Sequence, residues 1–158
     1  MQTSPLRAEL LFDLDTDTAD ETAEAFEDAW LDTLHRIGVE AEGLRALPHR
    51  DPGGLDWLVL LSLPLQAFLG ALGTEALGDL YAKAKQLARD RLRGKAKPRP
   101  PLVLEDAGTG LRIVLEPDLP PAALEQLTAL DLTRFRLGPL HYDRSRKAWR
   151  SVADEADE

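Results

Sequence analysis

Five consecutive apolar residues, Trp57-Leu58-Val59-Leu60-Leu61, constrain this chain more than any other stretch. The run is too short for a helix, is bounded by turn residues and has no polar face, so it reads as a strand buried on both sides. Pro64 stops it, because proline has no N–H to give to a sheet ladder, and its fixed φ suits the first turn of a helix. Beyond it, Leu65, Phe68, Leu69 and Leu72 make one apolar stripe. After a break at Gly73-Thr74, Leu77, Leu80, Tyr81, Ala84, Leu87 and Ala88 make another at three-to-four spacing. Gly94 is placed to end this helix as a C′ residue. A strand of this kind and a helix of this length need cover, so the rest of the chain is expected to pack around them.

The remaining elements follow from periodicity and turn chemistry. Ala8, Leu10, Phe12 and Leu14 alternate as in a strand. Thr18 and Glu21 have capping-box spacing at the head of a helix whose apolar face is Ala23, Phe26, Trp30, Leu34 and Ile37, with Gly38 at its end. A second strand of weaker pattern is expected over 39–47, a loop over 48–54 and a basic, proline-stiffened linker over 95–101. Residues 102–105 and 111–115 flank a glycine-bearing turn and predict a hairpin. Pro120 and Pro121 open a short helix over 122–129, and 140–143 with 148–152 predict a last hairpin in which Tyr142 and Trp149 can pair. Helices alternating with hairpins favour an α+β fold, with a mixed or antiparallel sheet, helices packed on one face and a ferredoxin-like core as the expected topology.

At 158 residues, one domain is expected over 1–152, with a frayed acidic tail over 153–158. The absence of cysteine excludes disulfides, thiolate metal sites and a cysteine nucleophile. The longest apolar tract, 57–72, is interrupted by Ser62, Pro64 and Gln66, too early for a membrane span. The first residues lack the basic-then-apolar pattern of a signal peptide, so a cytoplasmic protein is expected. Asparagine is absent and isoleucine occurs only at Ile37 and Ile113, as in a GC-rich bacterial genome. Net charge is −9, but the charge is segregated. Acids crowd 13–32 and the tail, while bases crowd 83–99 and 134–150. The overall acidity disfavours nucleic acid and favours a basic partner.

Two chemical readings attach to the same acidic stretch. Leu10-Leu11-Phe12-Asp13-Leu14-Asp15-Thr16, an apolar strand followed by Asp-x-Asp-x-Thr, resembles the first motif of the haloacid dehalogenase superfamily. That resemblance implies a Mg²⁺-dependent phosphohydrolase with Asp13 as nucleophile and Asp15 as acid–base. Val103-Leu104-Glu105-Asp106 would stand for the family's second acidic motif. The chain departs from the family where Gly-Thr usually follows the second aspartate; here it is Thr16-Asp17. Asp13, Asp15, Asp17, Glu21 and Glu24 also fall at spacings of a calcium-binding EF-hand loop, as in a metal- or ligand-sensing domain, but Thr18 occupies the glycine position. Against both stands capping: acids at a helix N-terminus complement its dipole, and the basic cluster over 83–99 complements a helix C-terminus in the same way. His35, His49 and His141 share no ligand spacing, and Ser62 lacks a nucleophile elbow. No catalytic residue set, metal or cofactor is assigned.

Asp56-Trp57 leading into the apolar strand, then Pro64-Leu65-Gln66-Ala67-Phe68-Leu69 and a basic amphipathic helix to Arg93, is similar to the small bacterial effector-associated constant components. These are accessory domains of bacterial conflict systems. The resemblance implies a non-enzymatic adaptor or inhibitor that binds a co-encoded effector. The partner surface expected from charge is the outer face of the first helix, Asp20, Glu24, Glu27, Asp28 and Asp32, where like charges stand at three- and four-residue spacing without an intervening base.

Overall fold

The computed structural model describes residues 6–12, 20–45, 59–91 and 102–156. Within them the chain runs β1 (Leu6–Phe12), α1 (Asp20–Arg36), β2 (Val39–Arg45), β3 (Val59–Leu63), α2 (Leu65–Arg91), β4 (Leu102–Asp106), β5 (Arg112–Leu115) and α3 (Pro121–Thr128). A 3₁₀ turn (Leu132–Arg134) follows, then β6 (His141–Asp143), β7 (Ala148–Arg150) and α4 (Val152–Ala156). The expected features at Asp13 to Asp17, Thr18, 46–58, Gly94 and the basic linker lie outside the described residues.

The fold is α+β, with a mixed sheet in the order β2-β1-β3-β4-β5 and a separate β6-β7 hairpin. Val59, Leu60 and Leu61 of the apolar run therefore lie in the middle strand. Val59, Leu61 and Leu63 point into the main core with Phe26, Trp30 and Leu34 of α1 and Phe68, Leu69 and Leu80 of α2. Both long helices thus lie on one face of the sheet. Leu60 points to the other face and is also buried, beside Val103 and Val114.

The ferredoxin-like topology is not what forms, although the element order β-α-β-β-α-β is its order. A ferredoxin-like core splits each βαβ unit by placing another strand between its two parallel strands. Here β1 pairs directly with β2 in parallel over seven residues, and β3 pairs directly with β4 in parallel. The two units meet through the antiparallel pair β1–β3. The physical reason lies in β3. A split arrangement would set it beside β2, whose outward residues include Glu40 and Glu42, whereas the observed order gives Leu60 the apolar neighbours Leu11 and Val103.

The break expected in the long helix is present at Gly73, which has φ 75° and ψ 168°. Pro121 occupies the first turn of α3. Tyr142 faces Trp149 across the last hairpin with ring centroids 5.6 Å apart and planes at 61°, and the Trp149 indole N–H donates to the Ala123 carbonyl at 2.9 Å. The acidic tail differs from expectation. Residues 152–156 form α4, and the Asp154 carboxylate accepts backbone N–H bonds from Arg136, Leu137 and Gly138 at 3.1, 3.0 and 3.2 Å. Glu155 pairs with Arg150. Four residues taken for a tail, 153–156, are thus part of the fold: a distant loop holds Asp154, and Arg150 holds Glu155. No helix among the described residues is long and apolar enough to cross a membrane.

Two glycines in α2 give a test with opposite signs. A Cβ at either Gly73 or Gly78 meets nothing within 4 Å, so only the backbone decides. Gly73→Ala forces an L side chain into a glycine conformation and should cost about 1–3 kcal/mol. Gly78→Ala removes backbone freedom from a helix interior and should gain about 0.5–1 kcal/mol. Phe68→Ala, at a site 1% exposed, should cost about 3–5 kcal/mol. Chemical denaturation of the three variants checks all three; a loss under about 1 kcal/mol for Phe68→Ala would mean that α2 does not pack on the core.

Candidate functional site

Strand alternation sends Ala8 and Leu10 toward the helices, so Arg7, Glu9 and Leu11 point away from them. The same alternation on β2 turns Glu40 and Glu42 outward. The pairing register then assembles a row across five strands on this open face: Glu42 beside Glu9, Glu9 beside Ser62, Ser62 beside Glu105, and Glu105 beside Arg112. Glu40 stands beside Arg7 in the next row. The adjoining row on the other side is apolar, with Leu11, Leu60, Val103 and Val114 packed together. Arg7, Glu9, Glu40, Glu42, Ser62 and Glu105 line an open cavity of about 800 Å³ formed with Ala8, Ala41 and Ala107.

The two ends of the row differ electrostatically. At one end Glu105 and Arg112 form an ion pair of 2.8 Å in which both side chains are about three-quarters buried. Burial pushes the Glu105 carboxyl above its ordinary value and the charge of Glu9 adds to that, while a hydrogen bond from Ser62 pulls it back. Burial likewise lowers Arg112. The short ion pair holds both charges against their desolvation. At the other end Glu9 and Glu42 are exposed and stand side by side on neighbouring strands. Like charges so placed repel, at a cost of roughly 0.2–1 kcal/mol.

The residues expected from sequence are distributed differently. Asp13, Asp15 and Asp17 lie outside the described residues. The strands that would carry the two acidic dehalogenase-type motifs, β1 and β4, run antiparallel to each other, since β1 opposes β3 and β3 parallels β4. Their C-terminal ends are therefore at opposite ends of the sheet, and the topology does not bring those motifs together. Asp106 has another use. Its carboxylate accepts the Leu65 N–H at the start of α2 (3.0 Å) and the Thr109 N–H and hydroxyl in the β4–β5 turn (3.0 and 2.8 Å). Among the described residues no group of three His, Asp or Glu side chains is placed to hold a metal ion.

On α1, Glu24, Asp28 and Asp32 are exposed, and Asp32 pairs with Arg36 at 3.0 Å. The side chain of Asp20 is not described. Glu27 is displaced from the expected face: it follows Phe26 on the flank of the helix and lies over Gly43 of β2, where an added Cβ would come within 2.0 Å of its Oε1. The basic C-terminal segment does part of its pairing locally. Arg150 holds Asp143 and Glu155, and Arg144 donates to the Asp118 carbonyl. In the described part of the basic cluster, Lys85 sits over the Tyr81 ring at 4.6 Å. His35 is exposed near the end of α1, and His141 lies 3.4 Å from Glu116, so these two histidines do not converge.

Sequence reasoning missed the row on the open face. Its signal was the alternation of charged with apolar residues in Arg7-Ala8-Glu9-Leu10 and Val39-Glu40-Ala41-Glu42, which marks one wet face on two strands but does not say that they are neighbours. Comparison with known proteins finds no matching family, no matching curated protein and no matching solved structure.

Two consequences can be measured. Removing one charge of the juxtaposed pair, as in Glu9→Gln, should raise stability by about 0.2–1 kcal/mol at low salt, and less at high salt. A clear loss would show that the fold needs that carboxylate. The internally bonded aspartates should behave oppositely. Burial alone would raise Asp106 and Asp154, but their backbone and hydroxyl donors outweigh it and hold both below the ordinary aspartate value. Asp143 is held low first by Arg150 and then by the backbone N–H groups of Arg146 and Ser145. A lowered folded-state pKa contributes stability that is complete above the unfolded value, near 3.9, and is lost as pH falls through the folded value. Unfolding followed by tryptophan fluorescence should therefore show the share of stability held by these aspartates lost below about pH 4, with a shallower fall in Asp154→Asn, while the raised Glu105 carboxyl acts oppositely and adds stability as pH falls through its folded value.

Proposed function

We propose that this protein is a non-enzymatic interaction module of the cytoplasm, an adaptor or inhibitor that binds a basic, co-encoded effector of a bacterial conflict system through its acidic helix. The observation that carries the reading is the exposure of Glu24, Asp28 and Asp32 at successive four-residue steps along the outside of α1. Such neighbours repel by about 0.2–0.5 kcal/mol per pair. Arg36 offsets one of them, at Asp32. Charges that weaken a helix gain a purpose if a partner neutralises them. The likeness of 56–93 to effector-associated constant components supports the same class of function. Glu27, lying over β2, serves the edge of that surface rather than its centre.

The test uses the product of the neighbouring effector gene as partner. Association should slow as salt rises, because exposed charges are screened over about 8–10 Å near physiological ionic strength. Glu24→Lys with Asp28→Lys should reduce the association rate by about tenfold or more while leaving the unfolding transition in place. Association indifferent to both salt and charge reversal would remove α1 from the interface.

A further inference from the structure

The two edges of the sheet are finished differently. At β5 the chain closes its own edge: the Val114 N–H donates to the Leu140 carbonyl at 2.9 Å, and the Leu140 N–H donates to the Arg112 carbonyl at 2.8 Å. At the opposite edge, among the described residues, β2 has β1 on one side and no strand on the other. All seven residues of β2 are in continuous register with β1, without a bulge, and none is proline. Alternate residues of a strand aim their N–H and C=O groups to opposite sides, so about half of the polar backbone of β2 points outward. A straight edge of this length is a template for another strand.

The charges around the edge select the strand. Glu40 and Glu42 are exposed on the open face. On the helix face the Glu27 side chain occupies the space over Gly43 that any larger residue would fill. Carboxylates therefore flank β2 on both faces. A second copy of this chain, paired antiparallel through β2 about Ala41, would set Glu40 against Glu42 twice, which like-charge repulsion opposes. A strand with lysine or arginine side chains meets the opposite situation on either face. We propose that the free edge of β2 accepts an extended, Lys/Arg-bearing segment of a protein partner as a sixth strand. Its backbone pairs with β2, and its basic side chains lie beside Glu40 and Glu42 on one face and Glu27 on the other. This deepens the basic-partner reading and rests on it, adding the place and the conformation of the bound segment. The acids of α1, which packs on β2, steer the approach.

The experiment titrates the full chain with a peptide of alternating lysine and threonine, long enough to cover β2, and with the same peptide N-methylated at every backbone nitrogen. Charge is equal in both, but only the first can donate to a strand edge. The unmodified peptide should bind, and methylation should weaken it by about tenfold or more, the equivalent of about 1.4 kcal/mol. Glu40→Lys with Glu42→Lys should abolish binding. Glu40→Gln with Glu42→Gln, which adds no repulsive charge, should weaken it less, and unchanged circular dichroism would show that both variants fold. Equal binding of the two peptides would overturn strand addition while leaving the basic-partner reading intact. Absence of binding by either would overturn the proposal, with that reading then decided by the α1 charge reversal. Sedimentation that finds a dimer displaced by the peptide would give the edge to a second copy and overturn the proposal as well.

Discussion

Leu60 and Leu61 are neighbours in one strand, point to opposite faces of the sheet, and are both buried. A strand with this demand needs apolar neighbours on both sides and cover on both faces. The helix layer meets it for Leu61 through α1 and α2. On the other face Leu60 lies beside Leu11, Val103 and Val114. Once these residues form one row, the two-residue period of a strand leaves the next row to Glu9, Ser62, Glu105 and Arg112. The polar row is therefore a geometric consequence of how the middle strand is buried. Its position follows from register, since a slip of one residue would exchange the apolar and polar faces of a whole strand.

The elements themselves were legible because their signals are local. The apolar run, the three-to-four spacing after Pro64, the Gly73 break and the turn at 106–110 each act within a few residues; the last three appear where expected, and of the run the described residues Val59 to Leu61 lie in β3. Sheet order was not legible, because a strand's pattern reports which of its faces is wet and not which strand lies beside it. The same element order serves a split and an unsplit arrangement, and only the pairing preferences of Leu60 separate them. The acids of the open face stayed hidden for that reason: Glu9 and Glu42 are thirty-three positions apart and become neighbours only through parallel pairing. Glu27 was placed on the outer face because the helical pattern alone does not see Gly43. The tail was read as frayed because the donors for Asp154, at Arg136 to Gly138, are a loop away.

Trp30 shows what holds α1 in place. Its ring is fully buried, and among the described residues its indole N–H has no hydrogen-bond partner. An unmet buried donor costs about 1–3 kcal/mol, so the contact must be favoured by packing area, as large aromatic side chains allow. The helix is thus fixed from its apolar side. Its outer face carries little responsibility for the fold and is free to hold charges that do not help each other.

That freedom separates two uses of the same chemical group. Asp106, Asp143 and Asp154 each meet several donors and tie turns, a helix start and the C-terminal segment to the body of the protein. Glu24 and Asp28 on α1, and Glu9 and Glu42 on the sheet, instead stand beside acids. A surface shaped by stability alone would intersperse lysine among such residues to gain opposite-charge pairs. Keeping them unmixed has two effects that act together at the β2 edge. In the proposed complex the field would draw a basic partner from solution, and the same charges oppose pairing between two copies of the chain, the hazard of an open strand edge. An acidic edge can thus stay open to a partner while remaining closed to itself.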